Sequence, residues 1–109
     1  MLTRLRLRHS LDFRAVYQAR HARHGRLMVI HSRANTIGHP RIGFSISTKV
    51  GGAVQRNLVK RRLRQLAHAR LAGSEQGLDL VVVVRPAAAQ ATFPELESEF
   101  GALANQVLG

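Results

Sequence analysis

The chain has 109 residues, of which 45% are hydrophobic, and its formal net charge is +11. This length and composition fit one domain with a modest core, which excludes a disordered tail and a second core. The absence of cysteine excludes disulfides, thiolate metal sites and a cysteine nucleophile, and no apolar run approaches the ~20 residues of a membrane span. We therefore expect one domain over residues 1–109, located in the cytoplasm and without a membrane partner.

The N-terminal segment, residues 1–8, alternates leucine with arginine, which is not the pattern of a secretory signal. Two interpretations are open for it: a basic arm along a nucleic-acid backbone, or plain disorder. Ser10 is a good N-cap for a helix of about two turns. Phe13 and Tyr17 are four residues apart, so they share a face of this helix with Val16.

Two strands are predicted next. The stretch 20–25 is basic and looks irregular, whereas residues 27–31 form a mostly apolar run that is typical of a strand. Turn-forming residues occupy positions 35–40. Small and polar residues then alternate with three apolar ones, which predicts a half-buried strand with Phe44 in the core: Ile42, Phe44 and Ile46.

A long helix is predicted from about Ala53 to Leu71. One arc of it is polar and strongly basic: Arg56, Asn57, Lys60, Arg61, Arg64 and His68. The opposite arc is apolar: Leu58, Val59, Leu63, Leu66 and Ala69. Arg62 and Arg70 interrupt the apolar arc, so we expect their side chains to extend to its edge. No acid lies between Asp12 and Glu75, which favours a binding surface over an ordinary solvated face.

The last third of the chain is apolar and acidic. Asp79 precedes the run 80–84, which is typical of a strand covered on both faces and which Pro86 ends. Thr92 and Glu95 have the spacing of a capping box. A helical stripe follows: Phe93, Leu96, Phe100, Leu103 and Val107. The order of elements indicates an α+β sandwich with helices packed on a small sheet.

The charge is divided unevenly along the chain. Residues 1–74 hold 16 basic residues and one acid, a net charge of +15, whereas residues 75–109 carry a net charge of −4. Such self-repulsion predicts a polyanionic partner, and nucleic acid is the most common one. Two other classes stay open at this point: a plain RNA-binding module such as a small ribosomal protein, and a cationic protein of the membrane surface.

Few side chains suggest chemistry of their own. Phe13 and Tyr17 could stack on unpaired bases or could simply belong to the core. His21 and His24 do not suggest a metal site, because Asp12 is the only carboxylate near them in sequence. No nucleophile elbow, phosphate-binding glycine loop or pair of carboxylates is visible, so we expect no catalytic residues in the polypeptide.

The central block of the chain resembles a known family. Residues 43–65, GFSISTKVGGAVQRNLVKRRLRQ, are similar to the signature of the protein subunit of bacterial ribonuclease P, in which a strand ending in Ser-x-Lys-Lys leads through Gly-x-Ala-Val into an Arg-Asn-Arg helix. Residues 12–17 resemble the first helix of that family, and the valine-rich run after Asp79 resembles a later strand. The resemblance implies an α-β-β-β-α-β-α order, a ferredoxin-like or ribosomal-protein-like sandwich with a left-handed crossover. That order has one strand more than the periodicity predicts.

The resemblance also implies a function. In this family the RNA subunit removes the 5′ leader of precursor tRNA by Mg²⁺-dependent hydrolysis, and the protein assists it without catalytic residues of its own. The implied partners are the RNA subunit and precursor tRNA, with no obligatory protein partner and with Mg²⁺ bound mainly by the RNA. The residues that match the RNA-subunit contacts of the family are Lys49, Arg56, Asn57, Lys60, Arg61 and Arg64. Those that match its leader-binding cleft are Phe13, Tyr17 and His31.

The chain departs from the family pattern at four positions. Leu58 stands where the motif has its second arginine, and Thr48 replaces the first of the paired lysines. His31 stands where a cleft tyrosine is common, so its smaller ring would stack less. Arg62 occupies a position that is usually apolar.

Overall fold

The computed structural model describes residues 3–108. Its helices and strands follow the order α1 (Ser10–Gln18), β1 (His21–His24), β2 (Met28–Ala34), β3 (Arg41–Ser45), α2 (Ala53–Leu71), β4 (Leu78–Val84) and α3 (Phe93–Leu108), with short 3₁₀ turns at Thr3–Leu5 and Pro86–Gln90. This order confirms the α+β class and the α-β-β-β-α-β-α arrangement that the resemblance implies.

The four strands form one mixed sheet in the order β1-β2-β4-β3. β2 pairs antiparallel with both β1 and β4, whereas β3 runs parallel to β4. Helix α2 is therefore the crossover that connects two neighbouring parallel strands. The left hand of this crossover stays a prediction of the resemblance.

The sheet has helices on both faces. The larger cluster of buried side chains joins the sheet to α2 and α3, and includes Ile30, Ile42, Leu80, Leu63 and Leu96. The smaller cluster lies under α1 and consists of Leu7, Val16 and Val81, with Phe13 and Val83 packed against it. Cross-strand register places one row of residues beneath α1: Ala22, His31, Val81 and Gly43.

Strand β1 was missed by the periodicity, which predicted an irregular stretch over 20–25. Its side chains are mostly exposed, so the strand has no apolar alternation and is held by main-chain pairing with β2. The turn between them is fixed by the carboxylate of Glu99, whose two oxygens each accept a backbone N–H at 2.8 Å, from Arg26 and Leu27. A contact between residues this far apart in sequence has no local signature.

Residues 3–8 of the N-terminal segment pack on the sheet, so plain disorder is wrong for them, while contact with a nucleic-acid backbone stays a prediction; residues 1 and 2 lie outside the described part. Arg6 forms a parallel bridge with Ile42 of β3, and the Leu7 N–H donates to the Ile42 carbonyl at 2.9 Å. Leu5 and Leu7 are buried. The following helix also differs from the prediction by one residue, because His9 and not Ser10 occupies the N-cap position of α1.

Helix α2 has the predicted bounds, with one correction on its apolar side. Ala69 is exposed, and Ala67 is buried in its place. The two interrupting arginines reach the edges of the interface as predicted: Arg62 Nη1 donates to the Ala91 carbonyl at 3.5 Å, and Arg70 Nη2 donates to Asn105 Oδ1 at 2.9 Å.

The predicted capping box is present at the start of α3. The Thr92 N–H donates to Glu95 Oε1 at 2.9 Å, and the Glu95 N–H donates to Thr92 Oγ1 at 3.3 Å. The bond from the Thr92 backbone is the main reason that the pKa of Glu95 lies below its usual value, with Arg26 adding a smaller effect. Each partner thus satisfies a backbone donor that the helix leaves free.

Asp79 lies inside β4 and is buried, instead of preceding the strand as predicted. Arg41 holds it with two bonds, Nε to Oδ1 at 2.9 Å and Nη2 to Oδ2 at 2.8 Å, and Asn35 Nδ2 donates to Oδ1 at 2.8 Å. These bonds raise the pKa of Arg41 above its usual value. Arg41 Nη1 also lies 3.9 Å from Asp12 Oδ2, so this network ties α1 to the sheet.

Candidate nucleic-acid interface

Helix α1 forms one wall of an open cleft over the sheet. Val16 is fully buried and anchors the helix, whereas Phe13 is half-buried and Tyr17 retains 38% of its surface exposed. The ring of Phe13 packs on Gly43 of β3. The aromatic residue with the most open ring is therefore Tyr17, while Phe13 contributes both to the smaller core and to the cleft.

His31 lies beside Tyr17 in this cleft. The two ring centroids are 5.0 Å apart at an interplanar angle of 87°, which is an edge-to-face contact. Burial lowers the pKa of His31, and the nearby His24 lowers it further. Because its ordinary value is about 6.5, His31 is mostly neutral near pH 7.

The basic arc of α2 faces the edge of the sheet at β3. Lys60 and Arg64 are half-buried, while Asn57 and Arg61 are exposed. Arg56 is half-buried because its Nε donates to the Gly51 carbonyl at 3.2 Å, which fixes the loop before the helix. Lys49 lies on that loop and is exposed.

Three concave surfaces join the cleft to this basic arc. The first has a volume of about 530 Å³ and is lined by Arg8, Ser10, Phe13, Arg14 and Tyr17. The second, of about 370 Å³, is lined by Arg6, Leu7, Arg8, Phe13, Ile42, Gly43, Phe44, Lys60 and Arg64. The third, of about 150 Å³, is lined by Phe44, Ile46, Arg56, Asn57 and Lys60.

These concave surfaces adjoin one another, because neighbours share lining residues, and together they are called the groove below. Arg8 and Phe13 line both the first and the second, and Phe44 and Lys60 line both the second and the third. The structure thus brings together six of the nine predicted site residues: Phe13, Tyr17, Arg56, Asn57, Lys60 and Arg64. Lys49, Arg61 and His31 do not line these surfaces, although His31 contacts the ring of Tyr17.

Several groove residues were not among the predicted site residues. Arg6 and Arg8 belong to the basic N-terminal segment, for which contact with a nucleic-acid backbone was one of two open interpretations, and Arg14 was not singled out. The place of all three depends on how the N-terminal segment and α1 dock on the sheet. Phe44 was expected in the core, and it does pack against the larger cluster, yet it is only half-buried and lines two of the three concave surfaces. The alternation of apolar and polar residues predicts the face of β3 on which Phe44 lies. It does not predict how far the helix that covers this face extends.

The groove is cationic throughout. Its lining includes arginine and lysine side chains from three elements and no carboxylate. Within residues 3–108 the ion pairs involve Arg26 and Arg41, neither of which lines the groove. Cations beside aromatic rings suit a single-stranded nucleic acid, since phosphates pair with the former and unpaired bases stack on the latter.

Two further features are absent from the part of the chain that the structure describes. Among residues 3–108, no three His, Asp or Glu side chains come close enough together to hold a metal ion. Over this range, none of the helices combines the length and the apolar character that a bilayer crossing requires.

Comparisons with known proteins agree on one family. The family model described as Ribonuclease P matches residues 1–108. The ribonuclease P protein component of Acidothermus cellulolyticus is 42% identical over 103 residues, which cover 93% of this chain and 86% of the relative. That of Pseudarthrobacter chlorophenolicus is 40% identical over 109 residues, which cover 99% of this chain and 80% of the relative.

Solved structures agree with this result. The RNase P protein of Staphylococcus aureus has a TM-score of 0.86 and 27% identity, and the match covers 94% of each chain. The RNase P protein of Thermotoga maritima has a TM-score of 0.78 at 24% identity over 90% of this chain and 94% of the other, a likeness of fold.

Proposed function

Because the chain belongs to the ribonuclease P protein family, we propose that it binds the catalytic RNA subunit of that enzyme together with the 5′ leader of precursor tRNA. In this role it assists the Mg²⁺-dependent hydrolysis that removes the leader. The observation that carries the proposal is the groove, whose adjoining concave surfaces connect the aromatic cleft to the basic arc of α2.

The end formed by α2 binds the RNA subunit in this proposal. Its contacts are those implied by the family: Lys49, Arg56, Asn57, Lys60, Arg61 and Arg64. Lys60 and Arg64 line the groove directly, whereas Arg61 on α2 and Lys49 on the preceding loop are exposed. Their chemistry suits phosphates, which position a protein on RNA without reading its sequence.

The end formed by α1 holds the leader. Phe13 and Tyr17 offer ring faces to unpaired bases, and the imidazole of His31 supports the Tyr17 ring through the edge-to-face contact. Arg8 and Arg14 lie beside these rings, where they can neutralise leader phosphates. A single-stranded leader supplies both unpaired bases for the rings and phosphates for the arginines, and mature tRNA lacks this segment.

One departure from the family weakens the first of these contacts. Leu58, at the position of the second motif arginine, is half-buried on the core side of α2. Arg62 does not replace the missing charge, because its guanidinium extends to the Ala91 carbonyl. Arg61 is then the exposed cation that remains next to Asn57 on this turn of the helix.

Catalysis resides in the RNA in this proposal. From the family we assign Mg²⁺ mainly to the RNA subunit, and we derive no step through it on the protein. The protein's own contribution is to bind, to orient the leader and to neutralise phosphates that otherwise repel one another. We propose that it does so as a single RNA-binding domain over residues 1–109, in the cytoplasm, without an obligatory protein partner.

Reconstitution tests the proposed function. Purified protein is mixed with a catalytic RNA and a labelled precursor tRNA over a range of Mg²⁺ concentrations. The protein should leave the precursor intact by itself, and should raise cleavage by the RNA most strongly at low Mg²⁺. Cleavage by RNA-free protein, or no effect on the RNA at any Mg²⁺ concentration, would contradict the proposal. Pull-down from cell extract separates it from the two alternatives, which would recover ribosomal RNA or lipid.

A further inference from the structure

The N-terminal segment is held against β3 by both backbone and side chains. Arg6 is bridged to Ile42, and the Leu7 N–H donates to the Ile42 carbonyl. Leu5 packs in the larger core cluster and Leu7 in the smaller one, so the two leucines anchor the segment in both clusters. The backbone of the arginines that alternate with them is consequently held beside β3.

Two of these arginines face α2 across the middle of the groove. The concave surface of about 370 Å³ has Arg6 and Arg8 from the segment and Lys60 and Arg64 from α2 in its lining. The N-terminal segment and α2, which are more than fifty residues apart in sequence, therefore place four cations around one concave surface. Like charges gathered in this way repel one another unless an anion lies between them.

The other lining residues indicate the shape of that anion. The ring of Phe13 lies directly on Gly43 of β3, and Phe13 and Phe44 are both half-buried residues of this lining. Within residues 3–108, the four cations form no ion pair with a carboxylate. A phosphodiester fits the cations, and the bases on either side of it fit the two rings.

We propose that Arg6 and Arg8 form a phosphate-binding site together with Lys60 and Arg64, for the backbone of one RNA strand that passes through the middle of the groove. The inference rests on the proposed function and adds the N-terminal segment to the RNA-binding surface. The shared chemistry is a phosphodiester, which either the precursor leader or the RNA subunit can supply.

The chain offers a matched control for this site. Arg4 is exposed on the same segment, but it lines a different depression, together with His39 and Glu75. Arg4→Gln, Arg6→Gln and Arg8→Gln each remove one positive charge and leave the backbone bridge to β3 possible. Melting temperatures of all three variants establish that they fold, and Arg6→Lys tests whether charge alone suffices.

The salt dependence of binding is measured for each variant in two arms. One arm uses the RNA subunit alone, and the other compares leader-bearing with leaderless tRNA bound to the holoenzyme. Affinity falls as salt rises, and each phosphate contact adds about 0.7 to 0.9 to the magnitude of the slope of log affinity against log salt. Arg6→Gln and Arg8→Gln should each reduce this magnitude by about that amount in one of the two arms. The arm in which the reduction occurs identifies the RNA that supplies the strand. Arg6→Lys should keep the slope.

Neutral methylphosphonate linkages then locate the phosphate. One linkage in the identified RNA should weaken binding of the unaltered protein and of Arg4→Gln to the same extent, and should weaken binding of Arg6→Gln less. Slopes for Arg6→Gln and Arg8→Gln that equal the slope for Arg4→Gln in both arms would overturn the inference. If the unaltered protein binds and activates the RNA in the same experiments, that result leaves the proposed function standing; if it does not, the proposed function itself has failed.

Discussion

The ring of Phe13 lies directly on Gly43, across the interface between α1 and the sheet. A Cβ atom at position 43 would collide with the Phe13 ring, with Cζ as its nearest atom. Gly43 is buried and its neighbour across the strands is Val81. Because Gly43 has no side chain, the Phe13 ring can approach the backbone of β3, and this contact determines the position of the ring in the groove.

Gly43→Ala should lift the Phe13 ring and so weaken leader binding. Overpacking of this kind typically costs about 1–3 kcal/mol of stability, which thermal unfolding will show. Affinity of the holoenzyme for leader-bearing tRNA should fall relative to leaderless tRNA. In a Phe13→Ala background the same change should have little further effect on that ratio; an undiminished effect would show that Gly43 acts on the leader by another route.

Phe13→Ala should weaken the binding of precursor tRNA by roughly tenfold to a hundredfold, because stacking of a base on an aromatic ring is worth about 1–3 kcal/mol. Mature tRNA, which lacks the leader, should bind as before. Leu11→Ala is the matched control, since Leu11 lies on the same helix with 71% of its surface exposed. Equal losses for both tRNAs, with a lowered melting temperature, would place Phe13 in the core alone.

Lys60→Ala and Arg64→Ala should each reduce the salt slope of RNA-subunit binding by about 0.7 to 0.9, the value of one phosphate contact. The reduction should be the same for every leader sequence, because phosphates carry no base information. Arg85→Ala removes an exposed arginine that does not line the groove and should leave the slope unchanged. If all three variants share one slope, the basic arc of α2 is an ordinary solvated face.

Asp79→Asn should destabilise the fold strongly. It leaves Arg41, whose side chain is 25% exposed, without the charge that holds it, and the loss of one partner from a buried pair typically costs about 3–5 kcal/mol. Arg26→Gln breaks an exposed pair with Glu95 and should cost less than about 1 kcal/mol. Urea unfolding of both variants gives the comparison, and similar midpoints would show that the buried pair contributes little.

Stability should depend on pH through His31. Its pKa is lowered in the folded state by burial and by His24, so the unfolded chain takes up the proton more readily. The contribution of His31 is then fully present above pH ~6.5 and is lost as the pH falls toward its folded-state pKa. Melting temperatures between pH 7.5 and 5.5 should fall less for His31→Phe than for the unaltered protein. His68→Asn changes an exposed imidazole on α2 and should retain the original dependence.

The sequence predicted those parts of the fold whose stability is local. The bounds of α2 follow from an amphipathic pattern, and the start of α3 follows from the capping box between Thr92 and Glu95. β1 could not be predicted in this way, because an exposed edge strand has no apolar face and its turn depends on the distant Glu99.

The candidate site could likewise be predicted only where it depends on local sequence. The basic arc of α2 and the aromatic pair on α1 follow from helical spacing, whereas their union in one groove depends on the register of β3 beside β4. The place of Arg6 and Arg8 opposite Lys60 depends on a single backbone bridge to Ile42. No pattern within residues 1–8 carries that information.

That bridge has a second consequence, which concerns self-association. β3 and β1 are the outer strands of the sheet, and an exposed outer strand is a template on which another chain can pair and aggregate. The Leu7 N–H occupies the backbone carbonyl of Ile42 on β3, while β1 is short and carries His21 and Arg23 as exposed side chains. Each outer strand of the sheet thus carries a feature that opposes pairing with another chain: the bridge at Ile42 on β3, and the short length and exposed charged side chains of β1.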